Sequence, residues 1–203
     1  MDRRTDTRQR ILATARGLMH ARSYTDVGVA EICTEAGVRK GSFYHFFPSK
    51  RDLALALLEQ ILDDFRLRLL DEAFDPVLSP MQRIDKWIEL TYAVQQEWAS
   101  SGGHVLGCPV GNLATELATQ DEVLRVAIEQ AFESLQERLI DTLKEAERSG
   151  ELADVDAGAT SQAMLAYLEG VLMLAKTSND TGVIARLLPA LRDIRIPKAA
   201  PKT

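Results

Sequence analysis

Apolar residues recur at three- and four-residue intervals along most of this chain, and no stretch alternates apolar with polar positions as a strand would. The pattern predicts an all-α protein. Ile11, Leu12, Ala15, Leu18 and Met19 form one stripe, which predicts a helix from about Thr7 to Arg22. The six residues before it are polar and expected to fray, with Arg3 and Arg4 in reach of a phosphate or a minor groove. Tyr24 and Val27 are expected to plug the next corner. Val29, Ile32, Cys33 and Ala36 then share one face of a short helix. Gly37 supplies the positive-φ position that stops that helix and turns the chain. Val38 plugs the turn, and Arg39 to Phe46 forms a second short helix, with Phe43, Phe46 and Phe47 inward. Pro48 ends it, Ser49 caps the next helix with Asp52 three residues on, and Leu53, Leu57, Ile61, Phe65 and Leu69 mark a long amphipathic helix from Lys50 to Leu70 or a little beyond.

The rest of the chain repeats the helical period at greater length. Phe74 to Leu78 reads as a loop containing Pro76, and Ser79-Pro80-Met81-Gln82 as a capping box with Pro at the first helical position. A helix to about Ala99 carries Ile84, Trp87, Ile88, Thr91, Val94 and Trp98. Three glycines between Ser100 and Gly107 break it. A short helix is expected from Pro109 to Thr119, and Thr119 with Glu122 as the capping box of a long helix from Asp121 to Ser149, ended by Gly150. Two more are expected over about Asp156 to Thr177 and Thr181 to Arg192. Ala159, Ala163, Ala166 and Gly170 form a seam of small residues that lets another backbone come close, either within the chain or from a second copy. The expected organisation is residues 1–51 as one domain, 52–195 as a larger helical domain, and 196–203 as a flexible Pro/Lys tail.

A helix, a tight glycine turn, and a short helix with polar groups outward is the helix-turn-helix pattern. Arg39 and Lys40 offer charge to phosphates, Gly41 allows close backbone approach, and Ser42, Tyr44 and His45 offer hydrogen bonds to phosphates or base edges. The run GVRKGSFYHFFPSK is more specific than a two-helix corner, and it resembles the DNA-binding domain of the tetracycline-repressor-like (TetR) family. The match covers roughly the first quarter of the chain closely. The resemblance implies a homodimeric repressor with an N-terminal three-helix DNA-binding domain and a C-terminal helical ligand-sensing and dimerisation domain. It also implies that the third helix and the start of the fourth contact operator DNA, through Lys40, Gly41, Ser42, Tyr44, His45 and Lys50. One position departs from the family. Where the second helix usually opens with Thr or Ser, this chain has Val27-Gly28, and Asp26 is expected to cap instead.

Charge supports that reading only through its distribution. The chain of 203 residues carries a net charge of −6. Residues 1–51 nevertheless hold ten Lys/Arg against five Asp/Glu, and the remainder fourteen against twenty-five. A basic head on an acidic body approaches DNA head first, because screening confines the attraction to about 8 Å at physiological salt. No apolar run is long enough to span a bilayer and no signal-peptide pattern precedes the first helix, so a cytoplasmic protein is expected. Cys33 and Cys108 make neither a disulfide framework nor a metal cluster. No catalytic constellation or phosphate-cradling loop stands out and the three histidines are scattered, so neither enzyme activity nor a cofactor is expected. A helical carrier or interaction protein without DNA binding is the competing reading.

Sensing chemistry is expected in the larger domain. In GHVLGCPVGNLATELA, a thiol stands between Gly and Pro at the start of a short helix, whose N–H groups favour a thiolate. This run and the GSFYHFF helix resemble the TetR branch that includes repressors of electrophile-detoxifying enzymes, responsive to N-ethylmaleimide. The resemblance implies Cys108 as the sensor, with Lys176 near it. Cys108 as a small buried hydrophobe is the alternative; Cys33 is read as core. A pocket for a small apolar molecule is the other trigger, with Phe65, Trp87, Tyr92, Trp98, Asn112, Met164, Tyr167 and Met173 as lining candidates, each also an ordinary core position. His104, Asp63, Asp64 and Glu72 read as solvated. The long helix from Lys50 is the expected mechanical link, and the last two long helices are the expected four-helix dimer interface.

Overall fold

The computed structural model describes residues 3–199, with side chains from Asp6 onward. It is helical throughout, without strands among the described residues: α1 (Arg3–Ala21), α2 (Val29–Glu35), α3 (Lys40–Phe46), α4 (Lys50–Phe65), α5 (Pro80–Gly102), α6 (Pro109–Leu117), α7 (Glu122–Ser149), α8 (Ala157–Ser178) and α9 (Gly182–Leu187). No helix among the described residues is long and apolar enough to cross a membrane. The side chains of Arg3 and Arg4, and residues 200–203 of the expected tail, lie outside the described residues.

The chain folds into two compact units. The first holds the residues up to Asp63 together with Pro109–Gln130, and the second holds Asp64–Cys108 together with the residues from Ala131 on. The unit around the helix-turn-helix therefore takes in most of α4, all of α6 and the start of α7, beyond the boundary expected at residue 51.

In the first unit, Ile11, Leu12 and Ala15 of α1 meet Ile32 of α2, Phe43 and Phe47 around α3, and Leu53 and Leu57 of α4. Phe43 is fully buried. Burial of such a ring contributes roughly 1.5–3 kcal/mol, which fixes how α3 sits on its neighbours. Val38 and Phe46 are half-buried and pack on this core. Gly37 takes φ +63°. The α2–α3 turn is closed by Arg10, whose guanidinium donates to the Ala36 carbonyl at 2.6 Å and the Gly37 carbonyl at 3.1 Å. These are helix-end carbonyls that would otherwise lack a donor. Ser49 caps α4, accepting from the Asp52 amide at 3.2 Å and donating to its carboxylate at 2.6 Å.

The second unit packs α5, α8 and the later part of α7 around Ile84, Trp87, Leu139, Leu143, Met164, Leu168 and Leu172, with Ile184, Leu188 and Leu191 closing one side. The charged Arg83 is only 8 % exposed. Glu145 holds it at 2.6 and 3.3 Å, and it also donates to the carbonyls of Asp75 and Pro76. A buried charge is tolerated only with such full pairing. The Ser79–Gln82 capping box is present, with Pro80 at the first helical position.

Several local expectations are corrected. The cap of α7 is Asp121, not Thr119: its Oδ1 accepts from the amides of Val123 and Leu124 at 3.1 and 3.2 Å, so the helix begins at Glu122. Asp26 does not cap α2. Its amide donates to Ser23 Oγ, and α2 opens at Gly28 with no side-chain cap. α5 continues to Gly102 and stops at Gly103, whose φ is +75°. The helix expected over 181–192 divides at Leu187 into α9 and a tighter 3₁₀ segment, Leu188–Asp193, because Pro189 has no amide hydrogen to continue the ladder. α4 widens into a π turn, Arg66–Leu70, before a last turn Asp71–Ala73. Ile196, at the start of the expected flexible tail, is pinned: its amide donates to Thr160 Oγ1 and its carbonyl accepts from the Asp156 amide.

Candidate DNA-reading face and cysteine site

Which groups α3 turns outward follows from its own short sequence. Because Phe43 and Phe47 point into the core and Phe46 packs on its rim, the residues on the opposite side of the helix point away. Arg39, Lys40, Gly41, Tyr44 and His45 are exposed, and Ser42 is half-buried. Tyr44 remains 51 % exposed although its ring meets the edge of Phe43 at 5.2 Å between centroids. Gly41 is not required by the protein's own packing, since a Cβ there would meet nothing within 4 Å.

Lys50 is placed differently from its neighbours in this set. Its ammonium lies 4.3 Å from the centre of the Tyr24 ring and donates to the Thr25 carbonyl at 3.4 Å. Burial lowers its pKa, partly offset by Glu116. It is engaged with the α1–α2 corner rather than extended with Lys40.

That corner is also where sequence reasoning missed functional groups. Glu116, near the end of α6, accepts from the backbone amides of Tyr24 at 2.9 Å and Thr25 at 2.6 Å. Burial pushes its carboxyl up, but hydrogen bonds from Thr25, Tyr24 and Ser23 outweigh burial and leave it below the usual carboxylate value. Arg51, at the start of α4, meets Asp121 at 2.6 Å. Contacts spanning 92 and 70 positions have no local signature. The sequence hint was a single acidic residue on the otherwise uncharged α6.

The cysteine site lies in the second unit. Cys108 is half-buried, one residue before α6 begins, and its thiol is hydrogen-bonded to the Glu169 carboxyl of α8. Burial pushes the Glu169 carboxyl up, and the thiol contact opposes that rise. Gly107 has φ +73°, and a Cβ there would lie 3.4 Å from Lys176 Cδ and 3.6 Å from the Leu172 carbonyl oxygen. Lys176 thus packs its stem over the residue beside Cys108. From α5, Gln95 donates its amide to the Gly107 carbonyl at 3.3 Å. Gln95 is 4 % exposed, and its Oε1 is buried without a hydrogen-bond partner among the described residues. Neither Glu169 nor Gln95 was legible beforehand, since each meets this loop from a different helix.

The pocket candidates separate. Phe65 and Trp98 stack at 6.3 Å, both half-buried, whereas Trp87 is buried against Phe74 and Met164 is fully buried. Tyr92 is half-buried and its hydroxyl accepts from Gln96 at 3.1 Å; Tyr167 donates to the Leu187 carbonyl at 2.8 Å. Met173 does not line an internal pocket: it is 61 % exposed, because it lies on the outer side of α8. Asn112 falls in the other unit. His104 is exposed, and Cys33 is core, where burial pushes its thiol up. Among the described residues no cluster of His, Cys, Asp or Glu could hold a metal ion.

Comparison with known proteins covers both units. The family profile described as "Bacterial regulatory proteins, tetR family" matches residues 11–57, and "Tetracyclin repressor-like, C-terminal domain" matches residues 80–191. The transcriptional regulator AcuR of Cereibacter sphaeroides is 39 % identical over 164 residues, which is 79 % of this chain and 73 % of AcuR. The transcriptional repressor NemR of Escherichia coli is 30 % identical over 125 residues, 62 % of this chain and 61 % of NemR. Among solved structures, a TetR regulatory protein from Rhodobacter sphaeroides superposes with a TM-score of 0.81 at 32 % identity, covering 93 % of this chain and 98 % of that one. The reduced form of E. coli NemR superposes with a TM-score of 0.76 at 26 % identity, covering 95 % and 100 %.

Proposed function

Because the chain belongs to the TetR family of bacterial transcriptional regulators, we propose that it acts as a homodimeric repressor, released from its operator by chemistry in the second unit. The observation that carries DNA reading is the α3 surface. Arg39, Lys40, Tyr44 and His45 stand exposed on a helix whose inner face is locked by Phe43 and Phe47. Phosphate contacts from such groups orient the helix, and base-edge contacts give it sequence preference. Lys50 enters the contact only if it leaves Tyr24, so its part is to brace the corner in the free protein.

Dimerisation is supported by α8. Ala166, Met173 and Leu174 are exposed, with Met173 at 61 % and Leu174 at 50 %. Gly170, at helical spacing between them, leaves its Cβ position open. An apolar face with a small-residue centre suits a second copy of the same helix. Two heads on a dimer would read half-sites about 34–36 Å apart, which a single short helix cannot do.

For release, the reading places an electrophile or oxidant on Cys108. Its half-exposed position, the Glu169 contact and the similarity to NemR, a repressor solved in a form described as reduced, support this. A bound small molecule is the second reading, supported by the Phe65–Trp98 stack and the buried, unpaired Gln95 Oε1. Fluorescence polarisation with a duplex from immediately upstream of the gene tests both, using reduced protein with and without N-ethylmaleimide. Salt-sensitive binding abolished by the reagent, and retained in Cys108→Ser, is the expected result. Loss of binding in both proteins would remove Cys108 from the mechanism, and binding unaffected in both would leave the pocket reading.

A further inference from the structure

We infer that Glu169 is the proton partner of Cys108, so that the two side chains form a built reaction site for soft, carbonyl-conjugated alkenes. The inference rests on the electrophile reading of Cys108 above and adds the group that handles the proton.

The geometry supplies the pair and its setting. The thiol and the Glu169 carboxyl share a hydrogen bond. The loop before α6 brings Cys108 and Gly107, α8 brings Glu169 and the stem of Lys176, and α5 brings the neutral Gln95. The two influences on the Glu169 carboxyl are burial, which raises it, and the thiol, which lowers it. A carboxyl held up by burial lies closer to a thiol in proton affinity than a surface carboxyl does. Gln95 is a second and separate pointer to a ligand. Its amide orientation is fixed by the Gly107 carbonyl, and the other end, Oε1, is an acceptor buried without a donor. Such a group is costly to leave unsatisfied, and an incoming N–H or O–H would relieve it.

The step balances within the pair and the electrophile. The ionised Glu169 carboxylate takes the thiol proton as the S–H bond breaks. The sulfur electron pair forms a bond to the β-carbon of the alkene, and the alkene π pair moves to the α-carbon. That carbon then takes the proton from Glu169, which returns to its starting form. No oxidant or reductant is needed. One negative charge is shared by two acids, and this gives a kinetic signature. An isolated thiol loses thiolate about tenfold for each pH unit below its pKa. In a shared-proton pair, the fraction with thiolate and protonated carboxyl stays constant between the two titrations. Above neutral pH the carboxylate instead opposes a fully formed thiolate, because like charges repel.

The test is the rate of N-ethylmaleimide addition to Cys108 in the full chain across the pH range, followed by mass spectrometry, for the native protein and Glu169→Gln. The native rate is expected to flatten on the acid side, whereas the variant falls about tenfold per pH unit. The two profiles should cross, with the variant equal or faster at alkaline pH. Parallel tenfold-per-unit profiles in both proteins would overturn the role of Glu169 and leave Cys108 as a sensor. An unreactive Cys108 would overturn the electrophile reading, and this inference with it. A readout independent of the variant's folding is the Glu169 carboxyl ¹³C titration in native protein before and after capping Cys108 with a methylthio group. Loss of the thiol donor should move that titration upward, and no movement would overturn the pair. Unsubstituted maleimide, whose N–H can meet Gln95 Oε1, should gain on N-ethylmaleimide relative to their rates with glutathione. Gln95→Met should erase that gain, and its persistence would remove Gln95 from the site.

Discussion

The outer face of α3 and the loop ending at Cys108 are both short, yet they are built in opposite ways. α3 is assembled by neighbours in sequence: Phe43 and Phe47 go in, so Arg39, Lys40, Tyr44 and His45 go out. The Cys108 loop is assembled by side chains from elsewhere, with Gln95 from α5 and Glu169 and Lys176 from α8. A reading surface must present groups to an outside partner, which one amphipathic helix can do alone. A reaction site of the kind proposed for Cys108 must desolvate and pair its groups, and that takes walls from several elements.

The sharpest way to break this comparison is Phe43→Ala. Removing the central ring of the first core should cost about 3–5 kcal/mol in urea denaturation and abolish operator binding, since Phe43 is the largest anchor of α3, with Phe47 and the Arg10 clamp on the preceding turn as lesser ones. A loss below about 1 kcal/mol would show that α3 is held by something other than its own inner face. Next in size, Tyr44→Phe should weaken operator binding by about 1.5–3 kcal/mol, the worth of a charge-assisted hydrogen bond, while leaving the thermal midpoint unchanged. Equal operator affinity would make the Tyr44 hydroxyl irrelevant to reading.

Glu116→Ala tests the exception within the first unit, a long-range contact bracing a locally built head. Leaving the amides of Tyr24 and Thr25 without their acceptor should destabilise this unit by about 1–3 kcal/mol. The effect carries a sign with pH. The folded carboxyl lies below its unfolded value, so its stabilisation is present above the unfolded pKa and lost as pH falls through the folded one. Native protein should therefore lose stability on acidification over that window, and the Glu116→Ala variant should lose less. Identical acid limbs would show that Glu116 carries no linkage. The smallest effect expected is Ser79→Ala, at about 0.5–2 kcal/mol, from loss of the α5 capping box and of the Ser79 Oγ hydrogen bond to Glu151, and silent in operator binding. A change in operator affinity would mean that this local cap is coupled to the reading face.

How far each site could be read in advance follows from the same contrast. The Ser49 and Ser79 caps, the Gly37 turn and the inward phenylalanines were legible because each rests on residues within four positions of one another. Two caps differ from expectation because neighbouring polar groups compete for the same amides. Asp121 reaches the first free amides of α7 better than Thr119, and the Asp26 amide turns to Ser23 instead of its carboxylate turning to α2. Met173 was placed in a pocket by composition, yet it is on the outer side of α8, because helical period alone does not say which apolar stripe meets the core when a helix carries more than one.

By itself the sequence determined the helical class, the Gly37 turn, the Ser49 and Ser79 caps, the outward chemistry of α3, and the family. All of these are encoded in short-range spacing, sterics and side-chain type. Only the tertiary structure decided that Lys50 lies on Tyr24, that Glu116 holds the α1–α2 corner, and that Cys108 meets Glu169 beside Gln95. Those pairings join helices far apart in the chain. Which side chains meet there depends on how whole helices rotate and pack, and that is set by the cores of the two units rather than by any local run of residues.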